Sequence, residues 1–276
     1  MMSRTASFAR SRTRSAHTPA AVRVWGGSFA LYKRIWRSNL VGSIVQPLLY
    51  LLGMGVGVGA LIDRGTASTE ILGGVDYAAF LAPALMAATA MIVVSQEAMW
   101  PVLDGFLWNK GYHSMAATPL RPSDIAAGVA LWHATCGFIA AAGVAVVLAI
   151  VPATRSWGLL PAIPFAVLTG MAISGPISAW SSTRPAPDQS FAAIQRFVII
   201  PMFLFAGAFY PIDQLPGWLQ PVALVTPLYH GVELCRGAAL GTLSLGDAVV
   251  HLAVLLAFWG VGFALCRRAF ARRLAE

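Results

Sequence analysis

Side chains that could carry out chemistry are scarce in this sequence, and those present form no recognisable catalytic pattern. The chain has no GxxxxGKS/T loop to hold nucleotide phosphates, no GxSxG turn to present a nucleophilic serine and no HExxH pair to bind zinc. Its three cysteines, Cys136, Cys235 and Cys266, are far apart, so neither a disulfide framework nor a zinc site is indicated. We therefore expect no catalytic residue, no metal and no cofactor bound by this chain.

Glu97 is the ionisable residue whose position most suggests a role, because it lies near the end of a long apolar stretch. An ionisable group at that depth in a membrane is costly and usually faces a partner or a cavity. Nearby segments offer basic partners, so we predict a polar relay of Glu97, Arg121 and Arg196, with Lys110 as a further partner. A charge at a helix end whose side chain reaches water explains the same residue equally well.

The loop at residues 101–123 contains an unusual number of large apolar side chains. A solvated loop does not carry so many of them unless something buries them. Aromatic groups flanked by polar ones are typical of a surface that binds a partner, and burial in the lipid interface is the alternative. The predicted docking residues are Leu103, Phe106, Trp108, Asn109, Lys110, Tyr112 and His113.

The elements that must position these residues follow from composition. Of 276 residues, 58% are hydrophobic and 11% are charged, whereas about a quarter of the residues in a soluble domain are charged. Six apolar stretches are long enough, at about 1.5 Å per residue, to cross about 30 Å of hydrocarbon. We predict an all-α integral membrane protein with six transmembrane helices, at about residues 40–61, 77–100, 124–151, 158–180, 190–210 and 246–266.

The basic residues are concentrated at the two ends of the chain. Twelve of the 19 lysines and arginines lie in residues 1–38 and 267–276, and the loops on the same side of the membrane are also the more basic ones. The positive-inside rule therefore places both termini in the cytoplasm, with the chain in the plasma (inner) membrane. Basic ends beside apolar runs are typical of anchoring against anionic membrane lipids, and a nucleic-acid partner is not expected.

The segments around the spans have compositions of their own. We predict a disordered basic leader at residues 1–21, a six-span domain at 39–267 and a basic cytoplasmic tail at 268–276. Residues 22–38 carry four aromatic residues at helical spacing, which predicts an N-terminal amphipathic helix in the membrane interface. Residues 211–245 are apolar but interrupted by prolines, which predicts short re-entrant outer helices between the fifth and sixth spans.

Capping signals define the second of these outer helices. Thr226 followed by Pro227 is typical of a helix N-terminus, and Gly241 suits a helix end. We predict two helices, at about residues 216–224 and 227–240, that enter the outer leaflet without spanning it.

Two stretches of the sequence resemble one protein family. The sequence TPLRPSDIAAG at residues 118–128, with Glu97 and Gly105 upstream, resembles the inner loop of ABC-2 permeases. The sequence LFAGAFYPIDQLPGWLQPVALVTPLYHGVELCRGAALG at residues 204–241 resembles the final outer segment of the same family. The likeness extends from about residue 22 to residue 270. It is strongest to the branch that includes nodulation-factor (lipo-oligosaccharide) exporter permeases and daunorubicin-type drug exporters.

This resemblance implies a transport subunit that works with other chains. Two such permeases pair, as a homodimer or with a sister chain, and bind two cytoplasmic ATPase subunits that hold the ATP and Mg²⁺. The resemblance also implies that Leu103–Ser114 contains the helix that docks on the ATPase, and that Val22–Ser38 is the connecting helix. Family members often carry an acid–arginine pair in the inner loop, where this chain has Trp108, Asn109 and Lys110.

Export by such an assembly implies a path between the second and fifth spans. Methionine and phenylalanine suit a bulky amphipathic cargo because their surfaces adapt, although lipid-facing positions have a similar composition. The predicted path residues are Met86, Thr89, Val93, Ile199, Met202, Phe203 and Phe209. We expect export of a lipid-linked or amphipathic substrate such as a glycolipid. The alternatives are drug or small-metabolite efflux, an ion-coupled secondary transporter and a membrane scaffold.

Overall fold

The computed structural model describes residues 19–59, 72 and 74–275, and all regular structure among these residues is helical. The predicted leader at residues 1–21 lies almost wholly outside the described residues. The α-helices are α1 (Ala20–Tyr50), α2 (Tyr77–Leu107), α3 (Gly111–Ala116), α4 (Pro122–Ile150), α5 (Leu159–Ser182), α6 (Gln189–Ile194), α7 (Ile200–Phe205), α8 (Gln220–Val225), α9 (Pro227–Leu240) and α10 (Leu245–Arg273). Leu51–Val58 and Gln195–Ile199 form π-helical turns, and Pro152–Thr154 and Ile212–Gln214 form 3₁₀ turns.

Four of these helices, α2, α4, α5 and α10, are long and apolar enough to cross a membrane. They correspond to the second, third, fourth and sixth predicted spans. Helix α2 has 31 residues and is therefore about 46 Å long, which exceeds the roughly 30 Å of a hydrocarbon core. It continues through Pro101 to Leu107, so the first part of the predicted 101–123 loop belongs to this helix.

The predicted interfacial helix at residues 22–38 and the first part of the predicted span at 40–61 belong to one continuous helix, because α1 runs through the boundary. No proline lies in the sequence between the two predicted elements, so nothing breaks the helix there. The helix then passes into the glycine-rich π-helical turns. The indole N–H of Trp25 donates to Thr135 Oγ1 of α4 at 2.9 Å, so part of the aromatic face packs against the protein.

The segment predicted as the fifth span, residues 190–210, is helical but interrupted. It is divided into α6, a π-helical turn and α7, and these together cover only Gln189–Phe205. Pro201 lacks an amide N–H, so the hydrogen-bond pattern changes register in the turn before it. The chain turns away soon afterwards at Gly207, whose φ of +75° favours glycine.

Helix α2 lies at the centre of the bundle, whereas α10 is the most exposed of the four long helices. The main hydrophobic core fills the space between α2, α4, α5 and α9. Helices α5 and α10 approach each other closely where Gly175 faces Gly262. A Cβ atom added at Gly262 would overlap the ring of Pro176, so this contact depends on the missing side chain.

The outer segment between α7 and α10 folds back onto the bundle. Helix α9 has the predicted bounds, with the Thr226 hydroxyl accepting a hydrogen bond from the Tyr229 amide at its start. Gly241 ends it with φ +72°, as predicted. The first outer helix is shorter than the predicted 216–224, since only Gln220–Val225 is α-helical. Helix α9 packs against α2 and α5, which places the outer segment over the centre of the protein.

Candidate functional site

One aromatic cluster joins the end of α2, the short helix α3 and the end of α10. The ring centroid of Phe106 lies 4.9 Å from that of Tyr112 and 4.9 Å from that of Phe270. The Tyr112 and Phe270 centroids are 5.4 Å apart. Ring pairs of this kind contribute about 0.5–1.5 kcal/mol each beyond the area they bury. The cluster therefore fixes the predicted docking segment to the ends of two long helices.

The position of α3 depends on a missing side chain in α2. The ring of Tyr112 lies directly against Gly105, and a Cβ atom at residue 105 would overlap that ring. Burial raises the pKa of the Tyr112 phenol well above its usual value, and the nearby Cys266 and Asp104 add to this effect. The phenol therefore stays neutral and acts as a packing group.

A short polar turn shapes the connection between α2 and α3. The side-chain amide of Asn109 donates to the carboxylate of Asp104, and its oxygen accepts from the Gly111 amide at 2.7 Å. Lys110 adopts the left-handed conformation, with φ +49°, which only a well-supported turn imposes on a residue with a side chain. The turn thus has a defined shape and holds Trp108 away from the protein, where 59% of this residue is exposed.

The structure divides the seven predicted docking residues into two groups. Leu103, Phe106 and Tyr112 face inward as anchors, with Leu103 and Phe106 almost completely buried. The exposed group, which we call the docking face, consists of Trp108, Asn109, Lys110 and His113. Sequence reasoning found the segment but did not distinguish the anchors from the docking face.

Glu97 lies on α2, before the aromatic cluster of Phe106, Tyr112 and Phe270 along the helix, and its hydrogen-bond partner is a tryptophan of α4. The indole N–H of Trp132 donates to Glu97 Oε2 at 2.9 Å. Beside this pair is a cavity of about 340 Å³ whose lining includes Tyr32 of α1 and Asp104. The carboxylate therefore links α2 to α4 at the junction where α1 also meets them.

The structure does not bring the three predicted relay residues together. Arg121 is exposed at the start of α4, and Arg196 is exposed on the π-helical turn after α6. Instead, the neighbours Gln96 and Gln195 connect the two segments, with Gln96 Nε2 donating to Gln195 Oε1 at 3.1 Å. No ion pair within the described part of the chain involves Glu97. The predicted relay assumed that opposite charges on distant segments attract each other. Whether the chain folds so that they meet cannot be read from the sequence.

The predicted path residues occupy the protein interior at the level of α2 and α7. Five of the seven, Met86, Ile199, Met202, Phe203 and Phe209, belong to the main hydrophobic core. The other two, Thr89 and Val93, are partly exposed on α2. Tyr50 of α1 completes an aromatic group with Phe203, at a centroid distance of 5.5 Å. In this conformation the five core residues are packed against one another and against neighbouring side chains, with no open passage described along them.

Comparison with known proteins identifies the family of this chain. The family model for ABC-2 type transporters matches residues 21–240, which is most of the chain. This protein belongs to the ABC-2 type transporter family. The prediction from the inner loop and the final outer segment is thereby confirmed, and the ABC-2 protein is a membrane subunit of a transporter.

Curated relatives agree along almost the whole of this ABC-2 chain. Nodulation protein J from Rhizobium leguminosarum bv. trifolii is 32% identical over 253 residues, covering 92% of this chain and 93% of the relative. The protein of the same name from Rhizobium leguminosarum bv. viciae is 30% identical over 251 residues, covering 91% and 93% of the two chains. Nodulation protein J from Bradyrhizobium diazoefficiens is 27% identical, with 91% and 92% covered. The similarity therefore includes the docking face and the outer helices.

Sequence reasoning missed a second polar centre of this ABC-2 permease, at the end of the bundle opposite the docking face. Buried Arg236 of α9 donates from Nη2 to the Gly207 carbonyl at 2.7 Å and from Nε to the Phe80 carbonyl at 3.3 Å. Its guanidinium lies over the Phe80 ring, 3.7 Å from the centroid, and pairs with Glu233 at 2.8 Å. We call this arrangement the arginine clamp. The signal available in the sequence was a lone basic residue inside the apolar 211–245 segment.

Histidines at the same end form the helix-to-helix contact that isolated membrane histidines usually provide. His230 of α9 and His251 of α10 share a hydrogen bond between their Nδ1 atoms at 2.8 Å. Burial, and secondarily His251, lower the pKa of His230. The hydrogen bond between the two rings thus ties α9 to α10, the most exposed of the long helices.

Proposed function

We propose that this chain is the permease subunit of an ATP-binding-cassette exporter, driven by ATP that a separate cytoplasmic ATPase subunit hydrolyses. The observation that carries the proposal is the docking face, an exposed tryptophan with polar neighbours on a turn that is rigidly anchored to the bundle. An exposed tryptophan surrounded by polar groups is typical of a residue that contributes strongly to binding. ATP and Mg²⁺ are assigned to the partner, because this sequence has no phosphate-binding loop.

The anchoring contacts supply a route for mechanical coupling. Force applied at Trp108 reaches Phe106 within the last turns of α2 and reaches Phe270 through the aromatic cluster. Because α2 also carries Met86 in the core, a tilt of this helix changes the packing at the predicted path. Packed interfaces of this kind respond by rigid-body shifts of whole helices.

An amphipathic or lipid-linked cargo of the glycolipid or lipo-oligosaccharide type is the substrate class that we favour. The predicted path is lined by methionine and phenylalanine, whose adaptable surfaces suit long apolar groups. The extended similarity to proteins named nodulation protein J is consistent with that class. Drug or small-metabolite efflux by the same architecture is the second candidate, since the same apolar lining would accept smaller amphipathic molecules.

The proposed assembly contains two permeases in the inner membrane, each with six spans and cytoplasmic termini. In this arrangement α1 with its π-helical turns is the first span, and the α6–α7 segment is the fifth. The docking face then lies in the cytoplasm and the arginine clamp on the outer side. A second copy or a sister chain beside Phe203 would turn the buried path residues into an intersubunit passage.

An ion-coupled transporter is less well supported by the contacts of the acidic residues. Such transporters place ionisable residues near the middle of the membrane, whereas Glu97 bonds Trp132 and Asp104 bonds Asn109 close to the docking end. A scaffold without transport would have no need of an anchored docking face. These two readings predict, respectively, gradient-driven transport without ATP and no transport at all.

A deletion strain and a purification together test the proposal. Deleting the gene should cause an amphipathic lipid-linked product to accumulate inside the cell, as measured by mass spectrometry of cell and medium fractions. Purification of the tagged permease should recover a P-loop ATPase at equimolar ratio. Unchanged lipid and metabolite fractions, or transport by the purified permease driven by an ion gradient without any ATPase, would overturn it.

A further inference from the structure

A long groove on the side of the bundle, away from the predicted path, has no role in the proposed transport cycle. It lies between α4, α5 and α10 and has a volume of about 810 Å³. We call it the lateral groove. The residues on which the argument depends are Ala127, Ala130, Ala134 and Phe138 of α4, with Trp259 and Phe263 of α10.

The shape of the lateral groove fits a flexible chain better than another helix. Three alanines form its recessed floor, while Phe138 and Trp259 stand exposed at its edges. A partner helix resting on these edges would leave the floor unfilled, and unfilled apolar space is unfavourable. From Ala127 to Phe138 the groove extends over about 16 Å of α4, which is roughly half of the 30 Å hydrocarbon core.

The lining of the lateral groove excludes a polar occupant. Thr135 is a polar lining residue, and its hydroxyl is already used. It donates to the Leu131 carbonyl at 2.9 Å and accepts from the Trp25 indole at 2.9 Å. A water molecule in the groove would lack the two to four polar partners that it needs. Hydrocarbon from the surrounding bilayer has no such requirement.

One end of the lateral groove carries a positive charge. Arg267 of α10 lies one helical turn beyond Phe263, with its guanidinium 5.9 Å from the centroid of that ring. Its side chain is exposed, and no carboxylate within the described residues pairs with it. A lipid phosphate held by Arg267 would be joined, through its glycerol, to an acyl chain that lies along Phe263. Basic residues next to a membrane helix attract anionic lipid headgroups by about 1 kcal/mol each.

We propose that the lateral groove binds one anionic glycerophospholipid, with an acyl chain on the alanine floor and the headgroup phosphate at Arg267. The lipid is a resident one and not the exported cargo, because the groove is separated from the predicted path by α2 and α5. The site belongs to the membrane leaflet that faces the docking end of the bundle. Its existence does not depend on which substrate is exported or on the presence of the ATPase.

Photocrosslinking of the full-length protein in proteoliposomes tests this site. The probe is phosphatidylglycerol with a diazirine on the acyl chain, and labelled peptides are located by mass spectrometry. The expected labels fall on α4 around Ala130 and on α10 around Trp259. Unlabelled phosphatidylglycerol should compete, whereas phosphatidylcholine and glycerol 3-phosphate should not. Filling the floor with Ala134→Phe should abolish the labelling at these two positions.

Two arginine variants separate a headgroup site from general surface charge. Arg267→Gln should weaken phosphatidylglycerol binding about fivefold, the factor that corresponds to one juxtamembrane charge. Arg268→Gln, which removes an exposed charge on a different face of the same helix turn, should leave binding unchanged. Thermal unfolding of both variants without added lipid verifies that they are folded.

Other outcomes overturn the proposal. Labels spread evenly over all exposed apolar helix faces would mean ordinary lipid contact with no site. Equal competition by phosphatidylcholine would remove the role of the anionic headgroup. Crosslinks from the groove to a second copy of the chain would mean that a protein surface occupies it. None of these results would bear on ATP-driven export, which is measured separately.

Discussion

Replacing Arg236 with methionine removes the arginine clamp while keeping a side chain of similar length. The clamp joins three separate segments, since Arg236 donates to the Phe80 carbonyl at the start of α2 and to the Gly207 carbonyl after α7. Its third partner, Glu233, is on the same helix and 36% exposed at its side chain. The Glu233 charge therefore regains water in the variant, whereas the two carbonyls lose their donor inside the protein.

The expected loss follows from those two carbonyls. A hydrogen bond from a charged group contributes about 1.5–3 kcal/mol, and the variant loses two such bonds, to the Phe80 and Gly207 carbonyls. Methionine restores part of the apolar packing over Phe80, so we expect Arg236→Met to destabilise the fold by roughly 3–5 kcal/mol and not more. At about 2–4 °C per kcal/mol, the midpoint of thermal unfolding should fall by roughly 6–20 °C.

Thermal unfolding of the detergent-solubilised protein, followed by tryptophan fluorescence, measures this loss. Arg155→Met is the matched control, because Arg155 is exposed in the connection between α4 and α5 and surface changes usually stay within about 0.5 kcal/mol. Arg236→Lys keeps the charge but not the several N–H donors of the guanidinium. Its unfolding midpoint should therefore lie between those of the Arg236→Met and Arg155→Met proteins. An Arg236→Met protein that unfolds at the same temperature as the Arg155→Met protein would refute the clamp.

Two further changes probe the packing of α3 and the histidine pair. Gly105→Ala should cost about 1–3 kcal/mol of unfolding free energy, because the new methyl overlaps the Tyr112 ring. Gly27→Ala, with open space around it, should be neutral or stabilising by up to about 1 kcal/mol. Chemical denaturation measures both variants, and equal effects would contradict the packing of Tyr112 against Gly105. His230 has a lowered pKa in the folded protein, so the unfolded chain binds more protons as the pH falls. Stability should therefore be complete above about pH 6.5 and decline below it, and His230→Gln, which still reaches toward His251, should flatten this dependence in a series of melting curves.

Local signals in the sequence predicted those elements whose causes are themselves local. The bounds of α9 follow from Thr226 and Gly241, which act within a turn of their own positions. The four long helices follow from runs of apolar residues, because hydrocarbon selects composition and length without reference to neighbouring helices. These features depend on no contact between distant parts of the chain.

Contacts across the fold explain what sequence reasoning could not supply. Tyr112 and Trp108 looked equivalent in the sequence, and only the approach of Phe270 from the far end of the chain makes Tyr112 an anchor. Glu97 accepts a hydrogen bond from the Trp132 indole, a neutral partner on another helix that no charge pattern in the sequence indicates. Arg236 meets a carbonyl that is 156 residues away, so its importance appears only when the chain is folded.

The broken fifth segment shows a different limit. Its apolar residues predicted a span at residues 190–210, but the π-helical turn and the early end of α7 depend on local hydrogen bonding. Hydropathy measures the environment of a segment and not the continuity of its backbone. The break therefore appears only in the folded backbone, directly before the helix that carries Met202 and Phe203.

Reconstituted transport with variants of the docking face tests the central claim most directly. The permease and its ATPase are placed in proteoliposomes, and ATP-dependent movement of a fluorescent lipo-oligosaccharide is measured together with ATP hydrolysis. Trp108→Ala should weaken ATPase binding by about 30-fold or more, the effect of losing a dominant interface residue. ATP-dependent transport should fall in proportion to the ATPase that remains bound. Trp157→Ala, which removes an even more exposed tryptophan at the opposite end of the bundle, should transport normally. Full transport by the Trp108→Ala permease would contradict the account.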